Sequence, residues 1–132
     1  NRSITGVGFR PEYLLLAPRG LHPAPQGGYS WRPFHEGTYG RPSLEDLRES
    51  AEALIRLIDA YAAKSQVDAS QFDMMGFSQG AALSNVITCL HPERIRKAAI
   101  LAASAGSITG SLYSSRNSST ALSVTCQPST LV

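Results

Sequence analysis

A serine flanked by two glycines, in residues 76–80 (G-F-S-Q-G), is the pattern of this chain whose spacing could do chemistry. The short apolar stretch 71–75 before it predicts a strand, and the apolar stretch 81–90 after it predicts a helix. On a tight turn between a strand and a helix, a serine hydroxyl is exposed and can act as a nucleophile. The pattern therefore predicts that Ser78 attacks an acyl carbonyl carbon.

The neighbours of this serine also have predicted roles. Gly76 and Gly80 lack a Cβ, so the strand and the helix can approach each other closely. The N-terminus of the following helix presents free N–H groups and the positive end of its dipole, and both stabilise negative charge. We therefore expect the backbone N–H of Gln79 to donate to the oxyanion that forms when Ser78 attacks. The alternative is that the turn only joins a strand to a helix.

Three blocks of this chain resemble the phospholipase/carboxylesterase family of α/β-hydrolases, which includes the acyl-protein thioesterases. The blocks are G-F-S-Q-G with A-A-L-S at 76–84, L-L-L-A-P-R-G with G-G-Y-S-W at 14–31, and H-P-E-R-I with A-A-I-L-A-A-S-A-G at 91–106. Their order and spacing are far more specific than the pentapeptide alone. The resemblance covers roughly residues 11 to 106.

The resemblance implies a fold and an activity. The fold class is α/β, as a partial α/β-hydrolase with a parallel sheet and flanking helices. The activity is that of a serine esterase, which hydrolyses a small acyl ester or thioester through an acyl-enzyme at Ser78, with no cofactor and no metal. Tyr29, Trp31 and Phe77 are candidates for the substrate pocket, although aromatic side chains here could equally cap the edge of the core.

The chain departs from the family at the partners of the serine. A hydrolase of this fold places an acidic residue and then a histidine after the nucleophile. After Ser78 the chain has only His91 and Glu93, in the reverse order and at neither expected position. The family's His-Gly loop, which gives the second oxyanion donor, has no counterpart in residues 1–10.

Two hypotheses remain open because of these departures. His22 or His35 could serve as the base, since triads are defined by geometry and not by chain order. Alternatively, the chain is a catalytically impaired remnant that binds a ligand or a partner, with self-association through unpaired sheet edges.

The chain divides into two compositional parts. Residues 1–106 are the expected hydrolase segment, with parallel strands at 13–17, 72–75 and 98–103 and an amphipathic helix from Leu44 to about Lys64. Ser43 and Asp46 predict a capping box for this helix, and Glu52 with Arg56 predicts an ion pair along it. Residues 107–132 contain 12 Ser or Thr in 26 positions, which predicts a mobile tail where the hydrolase pattern has stopped.

Composition excludes several classes of protein. The hydrophobic content is 42%, the charged content is 17% and the net charge is +2, which favours a globular protein and argues against nucleic acid as a partner. No apolar run approaches the length of a membrane span, and we expect a cytoplasmic location. The two cysteines make no disulfide framework, and Cys89 is expected in the core.

Overall fold

The computed structural model describes residues 13–34, 42–101 and 111–114. It contains both helices and strands, and one pair of strands is parallel. The elements in chain order are β1 (His22–Pro23), β2 (Tyr29–Ser30), α1 (Leu44–Ser65), β3 (Phe72–Phe77), α2 (Gln79–Leu90), a 3-10 turn (Pro92–Arg94), β4 (Ile95–Leu101) and β5 (Ser111–Ser114).

Helix α1 follows the sequence prediction closely. Its capping box is present: the Asp46 N–H donates to Ser43 Oγ at 3.2 Å, and the Ser43 N–H donates to Asp46 Oδ2 at 2.8 Å. Leu47, Ala51 and Ile55 recur at helical spacing and are all buried. The apolar stripe that predicted the helix therefore fixes which face of it points into the core.

One predicted contact of this helix is wrong. Glu52 was expected to pair with Arg56 one turn further on. Instead, Glu52 Oε1 lies 2.9 Å from His91 Nε2, at the far end of α2. A contact between two helices has replaced a contact along one helix, because packing brings His91 alongside the half-exposed carboxylate.

The parallel sheet is present in part. Strands β3 and β4 run parallel, with Met74 opposite Ala98 and Phe77 opposite Leu101. Strand β5 joins the other side of β4 in antiparallel orientation, so the sheet is mixed and has the order β3-β4-β5. Strand β5 falls within 107–132, and the rest of that segment, for which a mobile tail is predicted, lies outside the described residues.

The core lies between the helices and one face of the strands. Helix α2 packs on β3 and β4, and α1 packs on α2. The fully buried apolar side chains come from α1, α2 and β4: Leu47, Ala51, Ala81, Ile87, Ile95, Ala98 and Ile100. On the opposite face of the strands, Met75 and Phe77 are about 70% exposed, at 71% and 70%.

The predicted strand at 13–17 does not form. These residues pair with no strand of the described chain, and Tyr13 and Leu15 are exposed. Tyr13 and Leu15 instead line a groove of about 550 Å³ together with Phe72 of β3. Apolar content alone predicted the strand, whereas a strand also requires a partner for its backbone N–H and C=O groups.

Two further findings concern α2 and the helices as a group. Cys89 is half-buried and lies outside the fully buried core, and it is disulfide-bonded, although the two cysteines predicted no disulfide framework. Within the described ranges, no helix combines the length and apolarity that crossing a bilayer requires.

Candidate active site

Ser78 lies on the turn between β3 and α2, as its sequence context predicts. Its backbone has φ 53° and ψ −114°, a conformation that residues with a side chain rarely adopt. The Ser78 N–H donates to the Leu101 carbonyl at the end of β4, and the Ser78 carbonyl accepts from the N–H groups of Ala81 and Ala82. These bonds hold Ser78 in a strained conformation that costs about 1–3 kcal/mol. Residues strained in this way cluster at functional sites.

The hydroxyl of Ser78 is exposed and does not cap α2. As the N-cap residue it makes no side-chain hydrogen bond to the helix, although serine commonly does so at that position. The N–H of Gln79, at the first position of α2, has no acceptor among the described residues. An exposed hydroxyl therefore lies beside a free N–H donor at the positive end of a 12-residue helix.

The two glycines of the turn have different reasons to be glycine. Gly76 is buried, and a Cβ built on it would overlap the carbonyl of Gly80 and Ser84 Oγ. A Cβ built on Gly80 would meet no atom of the described residues within 4 Å. Among the described residues, a missing Cβ is therefore needed at Gly76, as predicted, and no contact requires it at Gly80, whose carbonyl Gly76 approaches.

The side chain of Gln79 has a role that sequence reasoning missed. Gln79 Oε1 accepts from the Trp31 N–H at 2.7 Å, and Gln79 Nε2 donates to Ser30 Oγ at 3.0 Å. These bonds join the turn that carries Ser78 to a segment 48 and 49 residues earlier in the chain. Only the backbone of Gln79 had a predicted role, because G-x-S-x-G leaves that position unspecified.

The same segment is bound from its other side by α1. Ser50, which is fully buried, donates from its hydroxyl to the Trp31 carbonyl. The buried Ser30 hydroxyl also accepts from the Arg32 N–H at 3.1 Å. Strand β2 and Trp31 are thus fixed between α1 and the start of α2, and no local sequence signal marks Ser30 or Ser50 for this role.

The three predicted pocket residues differ in their exposure and in their neighbours. Trp31 is half-buried and packs against the core next to the turn. Tyr29 is 51% exposed, and the guanidinium of Arg19 lies 4.0 Å from the centre of its ring. Phe77 is exposed on the open face of the strands, directly before Ser78. Of the three, Trp31 is connected to the turn through hydrogen bonds, and the pocket itself stays a prediction.

His91 is far from the candidate nucleophile. It follows the last residue of α2, so about 18 Å of helix separates it from Ser78 at 1.5 Å per residue. Its imidazole lies 2.9 Å from a Glu52 carboxylate oxygen and 3.8 Å from a Glu93 carboxylate oxygen. These contacts connect α1 to the end of α2, which is a structural role.

Of the other two histidines, His22 lies in β1, within the described residues. His22 is paired with Ser30 in the two-stranded β1–β2 ladder, and its Nε2 lies 3.7 Å from Glu49 Oε2. This Nε2 is buried and has no hydrogen-bond partner in the described part of the chain. His35 falls outside the described residues. Within residues 13–34 and 42–101, no imidazole or carboxylate is hydrogen-bonded to Ser78.

Asp73, the acidic residue nearest to the turn along the chain, already has a partner. Its two carboxylate oxygens accept from Nε and Nη2 of Arg96, each at 2.8 Å. The Arg96 guanidinium, through these bonds and its charge, holds the pKa of Asp73 below its usual value, while partial burial opposes the shift. Asp73 therefore joins β3 to β4, as a hydrogen-bonding residue of a strand end would.

Comparisons with known proteins add no assignment to this geometry: no family model, no curated protein and no solved structure matches the chain.

Proposed function

We propose that this chain is a serine hydrolase that cleaves carboxylic esters or thioesters through an acyl-enzyme at Ser78. The observation that carries the proposal is the conformation of Ser78, with φ 53° and an exposed hydroxyl that leaves the helix uncapped. A turn that served only to join β3 to α2 would not need a strained residue with a side chain there, since glycine adopts positive φ without cost. The strain is useful where the hydroxyl has to be presented.

The proposed reaction has two steps. Ser78 Oγ attacks the acyl carbonyl carbon, its proton passes to the leaving alcohol or thiol, and the bond to that leaving group breaks. Water then attacks the acyl-serine ester, which releases the carboxylic acid and returns the proton to Ser78. In both steps a negative oxygen forms on the former carbonyl, and the Gln79 N–H with the α2 dipole stabilises it.

Among the described residues, no histidine is hydrogen-bonded to Ser78 to accept its proton. His91 is bound to Glu52 at the far end of α2, and His22 lies beside Glu49. Without a base, an oxyanion site and substrate binding retain only about 10³–10⁴-fold acceleration over water. We therefore propose slow turnover for this chain alone.

The second candidate function is a non-catalytic module that binds a ligand or partner chain. The outer edge of β3 favours it, because no strand of the described chain pairs with that edge. Apolar side chains are also exposed on the adjacent sheet face, at Met75 and Phe77. The two functions differ in whether Ser78 forms a covalent bond with an acyl group.

A p-nitrophenyl ester distinguishes the two functions. Wild-type protein should release p-nitrophenol in an initial burst of about one equivalent, since the proposed acylation is faster than hydrolysis of the acyl-enzyme. Mass spectrometry of the quenched protein should then place the acyl group on the peptide that contains Ser78. Ser78→Ala should give neither result. Folded wild-type protein without a burst or an adduct would support the binding module instead.

A further inference from the structure

We propose that the Gln79 side chain is a positioning residue, which fixes Trp31 as one wall of the site that receives the acyl chain. The inference rests on the proposed function, because it assigns a part of the same site. It concerns the side chain of Gln79 alone, and the backbone N–H of this residue is the separate, proposed oxyanion donor. Through these two groups, one residue would connect substrate binding to stabilisation of the oxyanion.

The Gln79 side chain is hydrogen-bonded to two neighbouring residues, Ser30 and Trp31. The Trp31 N–H, at 2.7 Å, and the Ser30 hydroxyl, at 3.2 Å, both point to Gln79 Oε1, while Gln79 Nε2 donates back to Ser30 Oγ at 3.0 Å. Ser30 is buried and Gln79 is half-buried, so breaking the contact would leave polar groups without water to replace it. The contact is therefore costly to break.

The contact matters because it joins the Ser30–Trp31 segment to the turn that carries Ser78. Gln79 is the first residue of α2 and follows Ser78 directly, so its side chain joins the Trp31 backbone to the turn that carries the attacking hydroxyl. Of the two residues bound by Gln79, Trp31 has the large apolar surface, and it packs half-buried against the core. An aromatic side chain fixed in this way binds an alkyl chain well, because little conformational entropy remains to be lost on binding.

The opposite side of the segment is fixed independently of the turn. Ser50 on α1 donates to the Trp31 carbonyl, so this bond and the packing of Trp31 on the core remain when the Gln79 contact is lost. We expect the segment to move relative to Ser78 while α1 and the core remain folded. The positioning role can therefore be separated from a general role in stability.

Trp31 is the single tryptophan of the chain, so its fluorescence reports on the contact with Gln79 without added labels. Gln79→Leu removes both hydrogen-bonding groups and keeps the backbone N–H, while Gln71→Leu is the matched control. The Gln71 side chain also makes a hydrogen bond, to the Glu93 carbonyl, and Gln71 lies directly before β3. We expect Gln79→Leu alone to shift Trp31 emission to the red and to make it more accessible to acrylamide.

Two alkyl fluorophosphonates, one with a short and one with a long chain, then test the role at the site. In each, Ser78 Oγ would form a bond to phosphorus as fluoride leaves. In Gln79→Leu, labelling by the long-chain probe should slow by about tenfold, the effect of one or two lost hydrogen bonds, with a much smaller change for the short-chain probe. A general loss of structure would slow both probes equally, and thermal unfolding of each variant identifies that case.

The outcomes separate this inference from the proposed function. Unchanged Trp31 fluorescence in Gln79→Leu would contradict the claim that Gln79 fixes Trp31. Equal slowing of labelling by both probes would contradict a role of Trp31 in binding the acyl chain. If wild-type protein is labelled by neither probe, the proposed function fails and the acyl-binding role fails with it. The fluorescence measurement would still decide in that case whether Gln79 fixes Trp31.

Discussion

Gly76 and Gly80 are in backbone contact across the turn that carries Ser78, so that a Cβ on Gly76 would overlap the Gly80 carbonyl. The contact sets how closely β3 and α2 approach each other. It also shows that two glycines in one motif can have unequal roles, since no described residue lies within 4 Å of a Cβ built on Gly80.

The first prediction follows from this difference. Gly76→Ala should lower the free energy of unfolding by about 3 kcal/mol, because backbone atoms at the contact must move. Gly80→Ala, in the first turn of α2, should be neutral or should stabilise the protein by up to about 1 kcal/mol, because alanine favours the helix. Urea unfolding of both variants measures the two effects. A Gly80→Ala variant as unstable as Gly76→Ala would contradict the described geometry.

The second prediction concerns the cap of α1. Ser43→Ala removes the acceptor for the Asp46 N–H and should cost about 1 kcal/mol of stability. Thermal or urea unfolding gives the value, and Ser65→Ala, at the exposed last residue of the same helix, is the matched control. Equal effects of the two substitutions would mean that the capping box does not stabilise the helix.

The third prediction concerns pH and the Asp73–Arg96 pair. Arg96 lowers the pKa of folded Asp73, so the pair stabilises the fold above the unfolded pKa of about 3.9 and loses that effect as the pH falls through the lower folded pKa. The stabilisation should stay below about 1 kcal/mol, since the Asp73 side chain is 42% exposed. Urea unfolding at neutral pH and near pH 2 measures it.

Two variants control this measurement. Asp73→Asn and Arg96→Gln should each weaken the decline in stability below about pH 4, because each removes one half of the pair. A wild-type protein that becomes more stable as the pH falls through this range would have the opposite sign, and would contradict the assignment of a lowered pKa to Asp73.

The fourth prediction separates His91 from the chemistry. His91→Gln should weaken the contact between α2 and Glu52 on α1, with a cost of about 1 kcal/mol. It should leave the rate of covalent modification of Ser78 unchanged, since about 18 Å of helix lies between them. Modification with a fluorophosphonate, followed over time, measures that rate. A large loss of rate in a stably folded variant would make His91 a participant after all.

The turn and its two neighbours could be predicted from the sequence for a physical reason. The order of an apolar strand, a tight turn and an apolar helix is local, so Ser78 and its place at the start of α2 follow from nearby residues. The helix α1 follows in the same way from its apolar period and its capping pair, Ser43 with Asp46. In each case the signal lies within about twenty residues of the element.

The predictions that were wrong or missing depend on contacts between distant parts of the chain. The strand expected at 13–17 needs a partner at the edge of a sheet, and no local pattern specifies that partner. Glu52 binds His91 and not Arg56 because tertiary packing provides the closer partner. The bonds from Gln79 to Ser30 and Trp31 span nearly fifty residues and rest on ordinary polar side chains, which carry no periodic signal.

Labelling with a fluorophosphonate, followed by peptide mass spectrometry, tests the central claim most directly. If Ser78 is an activated nucleophile, wild-type protein should carry one adduct on the peptide that contains Ser78, and Ser78→Ala should carry none. Folded wild-type protein without an adduct, or with equal labelling of the Ser78→Ala variant, would contradict the account and leave the turn as an architectural element.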